Sequence, residues 1–164
     1  MINMINYLSH VSVVKTHNKG KGVFADQKFD VGEIVLVGKA VAKSPERTWQ
    51  TLQLDINTHV RMDEPFELVN HSCDPNCGIK LNEFNGYSIV AMKEIIQGEE
   101  VTFDYCMSEW ISIAVPNCNC QSNICRGSIN GGKFLSDQIL EKYRGFLAPY
   151  YAKLVNIQLS DQLI

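Results

Sequence analysis

The 164-residue chain carries 15 Lys and Arg against 18 Asp and Glu, for a net charge of −3 and a pI near 5.8. That balance excludes the basic, aromatic-interleaved surface of a direct nucleic-acid binder and suits a basic polypeptide partner instead. Hydrophobic content of 45% with 20% charged residues describes one globular domain plus a tail, and no apolar run approaches the ~18 residues of a membrane span. The first residues, Met1 to Tyr7, show no charged n-region, apolar core or cleavage site. The chain is therefore expected to be intracellular, cytoplasmic or nuclear, and not secreted, with no membrane partner. Its oligomeric state is left open.

Residues 11–43 read as short β-type runs punctuated by glycine: Val11–Val14, Gly22–Ala25 and Ile34–Val37, with Asp30–Glu33 as a turn. In residues 44–62, Trp49, Leu52, Leu54 and Ile56 alternate as a strand would. Residues 64–78 contain Pro65 and Pro75 and are irregular, with room for one helical turn at Phe66–Val69. Strands resume at Cys77–Leu81 and Ser88–Met92 around an Asn85-Gly86 hairpin signal, and again at Val101–Tyr105. From Leu135 to Ile157 the apolar spacing is helical, Ser136 is a cap, and Pro149 divides the run into two short helices.

The cysteines carry the chemistry. Cys118, Cys120 and Cys125 lie within eight residues, a spacing that presents three thiolates to one tetrahedral Zn²⁺ and requires a fourth from elsewhere in the chain. Cys77 is the expected donor. A metal there would pin the segment after residue 115 to the body of the domain. Disulfides would need an oxidising compartment. Cys73 and Cys106 are left as buried thiols near the site. His10, His17 and His59 have no partner at ligand spacing and read as surface or structural residues.

Four blocks, in order, resemble the SET-domain protein lysine methyltransferases of small stand-alone type: Gly20–Ala25, Asn70–Cys77, Gly98–Tyr105, and the cysteine segment Cys118–Gly127. The resemblance implies a mainly β SET (β-clip) fold with a threaded pseudoknot, a post-SET zinc knuckle and short C-terminal helices. The units would be a SET domain at 10–108, a post-SET zinc-binding segment at 116–128 and a helical extension at 130–164. It implies S-adenosylmethionine bound by Lys21, Gly22, Val23, Phe24, Asn70, His71 and Tyr105, with Phe134 a candidate face for the adenine. It also implies zinc on Cys77, Cys118, Cys120 and Cys125.

The implied reaction is methyl transfer to the ε-amine of a lysine in a basic protein or peptide, histone or non-histone. An in-line transfer needs the amine and the sulfonium to meet in a narrow channel, and the lysine must lose its proton there, helped by desolvation. The resemblance makes Tyr105 the catalytic residue and places Phe103 beside it in the substrate channel. A phenyl ring at that position leans toward di- or trimethylation. The alternative is a catalytically silent SET module that binds cofactor or peptide as an interaction protein.

Two departures from the family stand out. Glu67, Leu68 and Val69 occupy positions where many members have an Arg and an aromatic residue, so the cofactor wall must differ. No tyrosine falls between Tyr7 and Tyr87 to supply a second channel hydroxyl. Trp49, Tyr143 and Tyr150 are the candidates to line the channel instead.

Overall fold

The computed structural model describes residues 10–155; the amino-terminal reading of Met1 to Tyr7 and the last residues of the expected helical extension lie outside them. Ten strands dominate: β1 Val11–Lys15, β2 Lys21–Ala25, β3 Ile34–Val37, β4 Ala40–Ser44, β5 Leu52–Asp55, β6 Thr58–Met62, β7 Asn70–His71, β8 Cys77–Leu81, β9 Tyr87–Ala91 and β10 Glu100–Phe103. The larger sheet runs β1-β2-β10-β8-β9-β3, with β7 also pairing β10, and a separate sheet runs β4-β6-β5. Of the residues expected to alternate in 44–62, Leu52 and Leu54 lie in β5, whereas Trp49 and Ile56 fall in turns and are exposed; the segment forms a three-stranded insert rather than one strand.

β10 is the centre of the construction. It pairs antiparallel with β2 and parallel with both β7 and β8, so the loop from Asn70 to Cys77 wraps around it. Ser72 N–H donates to Phe103 O at 3.2 Å. Asn76 clamps the strand twice: its Nδ2 donates to Glu100 O at 2.9 Å and its Oδ1 accepts from Thr102 N at 3.0 Å. This is the threaded arrangement that the resemblance implies, and nothing in local periodicity could specify it.

Turn chemistry holds where the sequence announces it. Asn85 adopts φ 52° in the β8–β9 hairpin, a left-handed conformation that asparagine tolerates better than most residues. Ser136 caps α1 (Asp137–Lys142) by accepting from Ile139 N, and Pro149 is the first residue of α2 (Pro149–Leu154). Pro149 thus starts the second helix, where its missing N–H costs nothing.

α1 contributes no fully buried residue of its own, whereas its C-cap, the connection that follows and α2 belong to the core. Tyr143, Leu147, Ala148, Tyr151 and Ala152 are buried in the same cluster as Val23, Ile79, Ile89 and Phe103. Tyr151 packs its ring edge-on to Trp110 at 5.2 Å and donates its hydroxyl to Gly132 O. Leu154, the last residue of α2, is 48% exposed.

Candidate active site and cysteine cluster

A cavity of about 570 Å³ opens where β10, the Asn70–Cys77 loop, the insert and the cysteine segment meet. Lys19, Lys21, Asn70, His71, Asn117 and Cys118 line one part of it; Trp49, Leu52, Met62, Glu109 and Ile113 line another. A row of rings joins the two: His71 to Tyr105 at 5.3 Å, Tyr105 to Phe103 at 5.0 Å, and Phe103 to Phe66 at 6.1 Å.

Tyr105 lies one residue beyond the end of β10, as the first residue of a 3₁₀ turn capped by Asp104, whose Oδ1 accepts from Cys106 N. Its hydroxyl donates to Val69 O at 2.9 Å. Burial, with a smaller contribution from the Glu100 charge, pushes its pKa well above the phenolic range, so the hydroxyl stays neutral at physiological pH. Its backbone N–H donates to His71 Nδ1 at 3.2 Å. That bond makes Nδ1 the acceptor and leaves the imidazole proton on Nε2, 3.4 Å from Cys73 Sγ. Burial pulls the His71 pKa down to about 4, against the opposing Asp104 charge and with help from Arg126 and Lys19; the ring is neutral at physiological pH.

Asn70 links the first and third sequence blocks. Its Nδ2 donates to Lys21 O at 2.9 Å and to Glu100 Oε1 at 2.8 Å, while Lys19 Nζ pairs with Glu100 Oε2 at 2.5 Å. Glycine at position 22 lets these side chains approach the backbone: a Cβ would stand 2.7 Å from Glu100 Oε1 and 2.9 Å from Asn70 Nδ2 and would displace both. Of the expected cofactor residues, Lys21, Asn70, His71 and Tyr105 line the cavity, whereas Gly22, Val23 and Phe24 do not. Val23 is fully buried in the core opposite Val101. Phe103 lines the cavity as expected.

Phe134 is 63% exposed and lies outside the lining. Among the candidates for the missing channel tyrosine, Trp49 reaches the cavity wall. Tyr143 and Tyr150 do not, because their hydroxyls are committed to Asp104 Oδ2 and to Ser108 O. Lys19 and Glu109 escaped the sequence reading. Only the three-dimensional pairing of Lys19 with Glu100 and of Glu109 with Gln53 N–H gives them meaning.

The sulfur ligand set differs from the expected one by one residue. The Sγ atoms of Cys73, Cys118, Cys120 and Cys125 all lie within 4.8 Å of one another, and all six cysteines are free thiols. Cys77 is excluded because β8 turns it into the main core, opposite Phe103 and Ala91 and fully buried; burial raises its thiol pKa far above the normal range. Cys73, four residues earlier in the loop, faces the cysteine segment. This corrects the expectation for Cys77 and moves Cys73 from bystander to candidate ligand.

Four thiols at such separations fit a tetrahedral Zn²⁺ without further donors. Burial pushes Cys73 up to about 11. Cys120 is also pushed up by burial, but the Ser122 hydroxyl and surrounding hydrogen bonds outweigh this and bring it down to about 6.

The SET domain family model matches residues 20–106, just over half of the chain. The histone-lysine N-methyltransferase trithorax of Drosophila virilis is 28% identical over 143 residues, covering 76% of this chain and 4% of that protein. The histone-lysine N-methyltransferase ASHH2 of Arabidopsis thaliana is 37% identical over 76 residues, covering 44% and 4%. The methyltransferase flvH of Aspergillus flavus is 26% identical over 112 residues, covering 68% and 61%. The chain thus spans about 4% of the length of the trithorax and ASHH2 relatives.

Two solved structures share the fold. One, from work on the product specificity of histone lysine methyltransferases, aligns with TM-score 0.55 and 22% identity over 73% of this chain and 56% of its own. The other, KRYPTONITE in complex with mCHG DNA and SAH, aligns with TM-score 0.54 and 20% identity over 72% and 28%. No helix among the described residues is long and apolar enough to cross a membrane. With the threaded β10, the Asn70–Cys77 loop and the matched family model in agreement, the chain belongs to the SET-domain family.

Proposed function

We propose that the protein transfers a methyl group from S-adenosylmethionine to the ε-amine of a lysine in a protein or peptide. The observation that carries this reading is the neutral Tyr105 hydroxyl, fixed to Val69 O within a cavity that is polar near Asn70 and His71 and aromatic beyond. Bound S-adenosylmethionine would supply an electrophilic sulfonium methyl. Lys21, Asn70, His71 and Tyr105 are the residues placed to hold it, with Lys19 beside them.

The remaining steps belong to the chain's own residues. Phe66, Phe103, Met62 and Leu68 wall the aromatic part with apolar surface, which disfavours an ammonium and so favours the neutral amine that can attack. Tyr105 offers its oxygen to orient that amine and the methyl hydrogens through weak contacts. Phe103 adds a ring without a hydroxyl, leaving room for a second and third methyl. Cys73, Cys118, Cys120 and Cys125 would hold one structural Zn²⁺ that fixes the segment over the cavity. The functional units would be the SET domain, this zinc-binding segment and the helical extension that packs against both.

The test is transfer of labelled methyl from S-adenosylmethionine to a panel of lysine peptides and lysate proteins by the metal-loaded chain, with Tyr105→Phe in parallel. Transfer that falls about 10²-fold in the variant, the usual cost of removing one orienting group at the reacting atoms, supports the reading. Cofactor binding with no transfer to any substrate would identify a silent module instead.

A further inference from the structure

Asp104 immediately precedes Tyr105 and is completely buried, and three separate elements converge on its carboxylate. From the cysteine segment, Arg126 Nη2 donates to Oδ1 at 2.8 Å, and Nη1 stands 2.7 Å from Oδ2 as an ionic contact outside hydrogen-bond geometry. From the end of α1, the Tyr143 hydroxyl donates to Oδ2 at 2.9 Å. From its own turn, Cys106 N donates to Oδ1 at 3.0 Å, and from β7 His71 Nδ1 lies 3.5 Å from the same oxygen. We propose that Arg126 and Tyr143 are positioning residues for Tyr105, acting through the Asp104 carboxylate. The inference rests on the reading of Tyr105 as the reacting-site tyrosine.

The geometry supplies the reason. One guanidinium N–H bonded to Oδ1, with the second terminal nitrogen in ionic contact with Oδ2, restrains the carboxylate, and the tyrosine bond adds a restraint at Oδ2. With Asp104 immobile, the backbone that follows it is immobile too, and Tyr105 N–H is held on His71 Nδ1. Arg126 also reaches the cysteine cluster, donating its backbone N–H to Cys73 Sγ at 3.4 Å. The cluster, the end of α1 and the tyrosine therefore share one buried carboxylate, and Tyr143 contributes its hydroxyl to the arrangement without lining the cavity. Burial alone would penalise the Arg126 charge, but the Asp104 bond and charge outweigh it and raise its pKa.

The test compares the metal-loaded full chain with Tyr143→Phe and Arg126→Lys, neither of which removes a cavity side chain or a cysteine. Amide hydrogen exchange is read at Tyr105 and Cys106 and, as a reference for global stability, at Val90 in β9. A positioning role predicts exchange about tenfold faster at Tyr105 and Cys106 in each variant, beyond any change at Val90. It also predicts a comparable loss in kcat with little change in the KM for cofactor. Exchange that changes equally at all three amides, or not at all, would overturn the inference. A wild-type chain that transfers no methyl bears on the proposed function, while the exchange comparison still decides the positioning claim.

Discussion

Glu109 offers a stability test whose sign is set by burial. Its side chain is 5% exposed; Oε1 accepts from Gln53 N at 2.6 Å and from the Ser108 hydroxyl at 3.3 Å. Burial outweighs these bonds and the Arg47 charge, and raises the carboxyl from 4.5 to about 7. At 1.36 kcal/mol per pKa unit, that rise amounts to about 3 kcal/mol. The folded state binds the proton more tightly than the unfolded chain does. The corresponding stability is therefore fully present below pH 4.5 and is lost as the pH rises through about 7.

His71 works in the opposite sense. Its pKa is lowered from 6.5 to about 4, so its contribution is present above 6.5 and lost as the pH falls toward 4. A wild-type profile alone would mix the two. The informative quantity is the difference between wild type and Glu109→Gln, in which Oε1 can still accept from Gln53 while the titration is gone. Urea unfolding of both proteins across this range should show the variant gaining about 3 kcal/mol relative to wild type from the acid to the alkaline end. A difference that stays flat with pH would refute the argument that burial controls this carboxyl.

Metal content of the purified protein should be one equivalent of zinc for Cys77→Ala and none for Cys73→Ala, measured by plasma emission; the reverse pattern would restore Cys77 as the fourth ligand. Gly78→Ala should destabilise by about 1–3 kcal/mol, because its Cβ would stand 2.5 Å from Cδ1 and Cγ of Phe146. Adding Phe146→Ala should make the pair cost less than the sum of the single changes in chemical denaturation, and strict additivity would show that the clash is relieved elsewhere. Trp49, 71% exposed on the cavity rim, should when changed to Ala raise the KM for a peptide substrate more than it lowers kcat, and an unchanged KM would remove it from the substrate path.

What the sequence made legible was local. The Asn85-Gly86 turn, the Ser136 cap, the start of α2 at Pro149 and the single helical turn at Phe66–Leu68 all follow from residue chemistry within a few positions. The order of the four blocks made the threaded β10 expected, though its pairing with β7 and β8 joins segments that no periodicity connects. The choice between Cys73 and Cys77 was invisible for a physical reason. The two are four residues apart around Pro75, and only the entry of the chain into β8 at Cys77 turns one thiol into the core and leaves the other facing Cys118. The insert was obscured in another way, because β4 is largely exposed, β5 buries Gln53 rather than its leucines, and the pairing of both with β6 passes through two register shifts. Asp104 reads in sequence as part of a strand signature. Its role as a shared acceptor arises because Arg126 and Tyr143 reach it from 22 and 39 residues away.

The most direct measurement of the central claim is tandem mass spectrometry of the protein substrate recovered after incubation with the metal-loaded chain and isotopically labelled S-adenosylmethionine. The account predicts labelled methyl on a lysine ε-amine, with more than one methyl on the same nitrogen at long times, and its loss with Tyr105→Phe. Label on a different side-chain type, or label on lysine that persists undiminished with Tyr105→Phe, would contradict it.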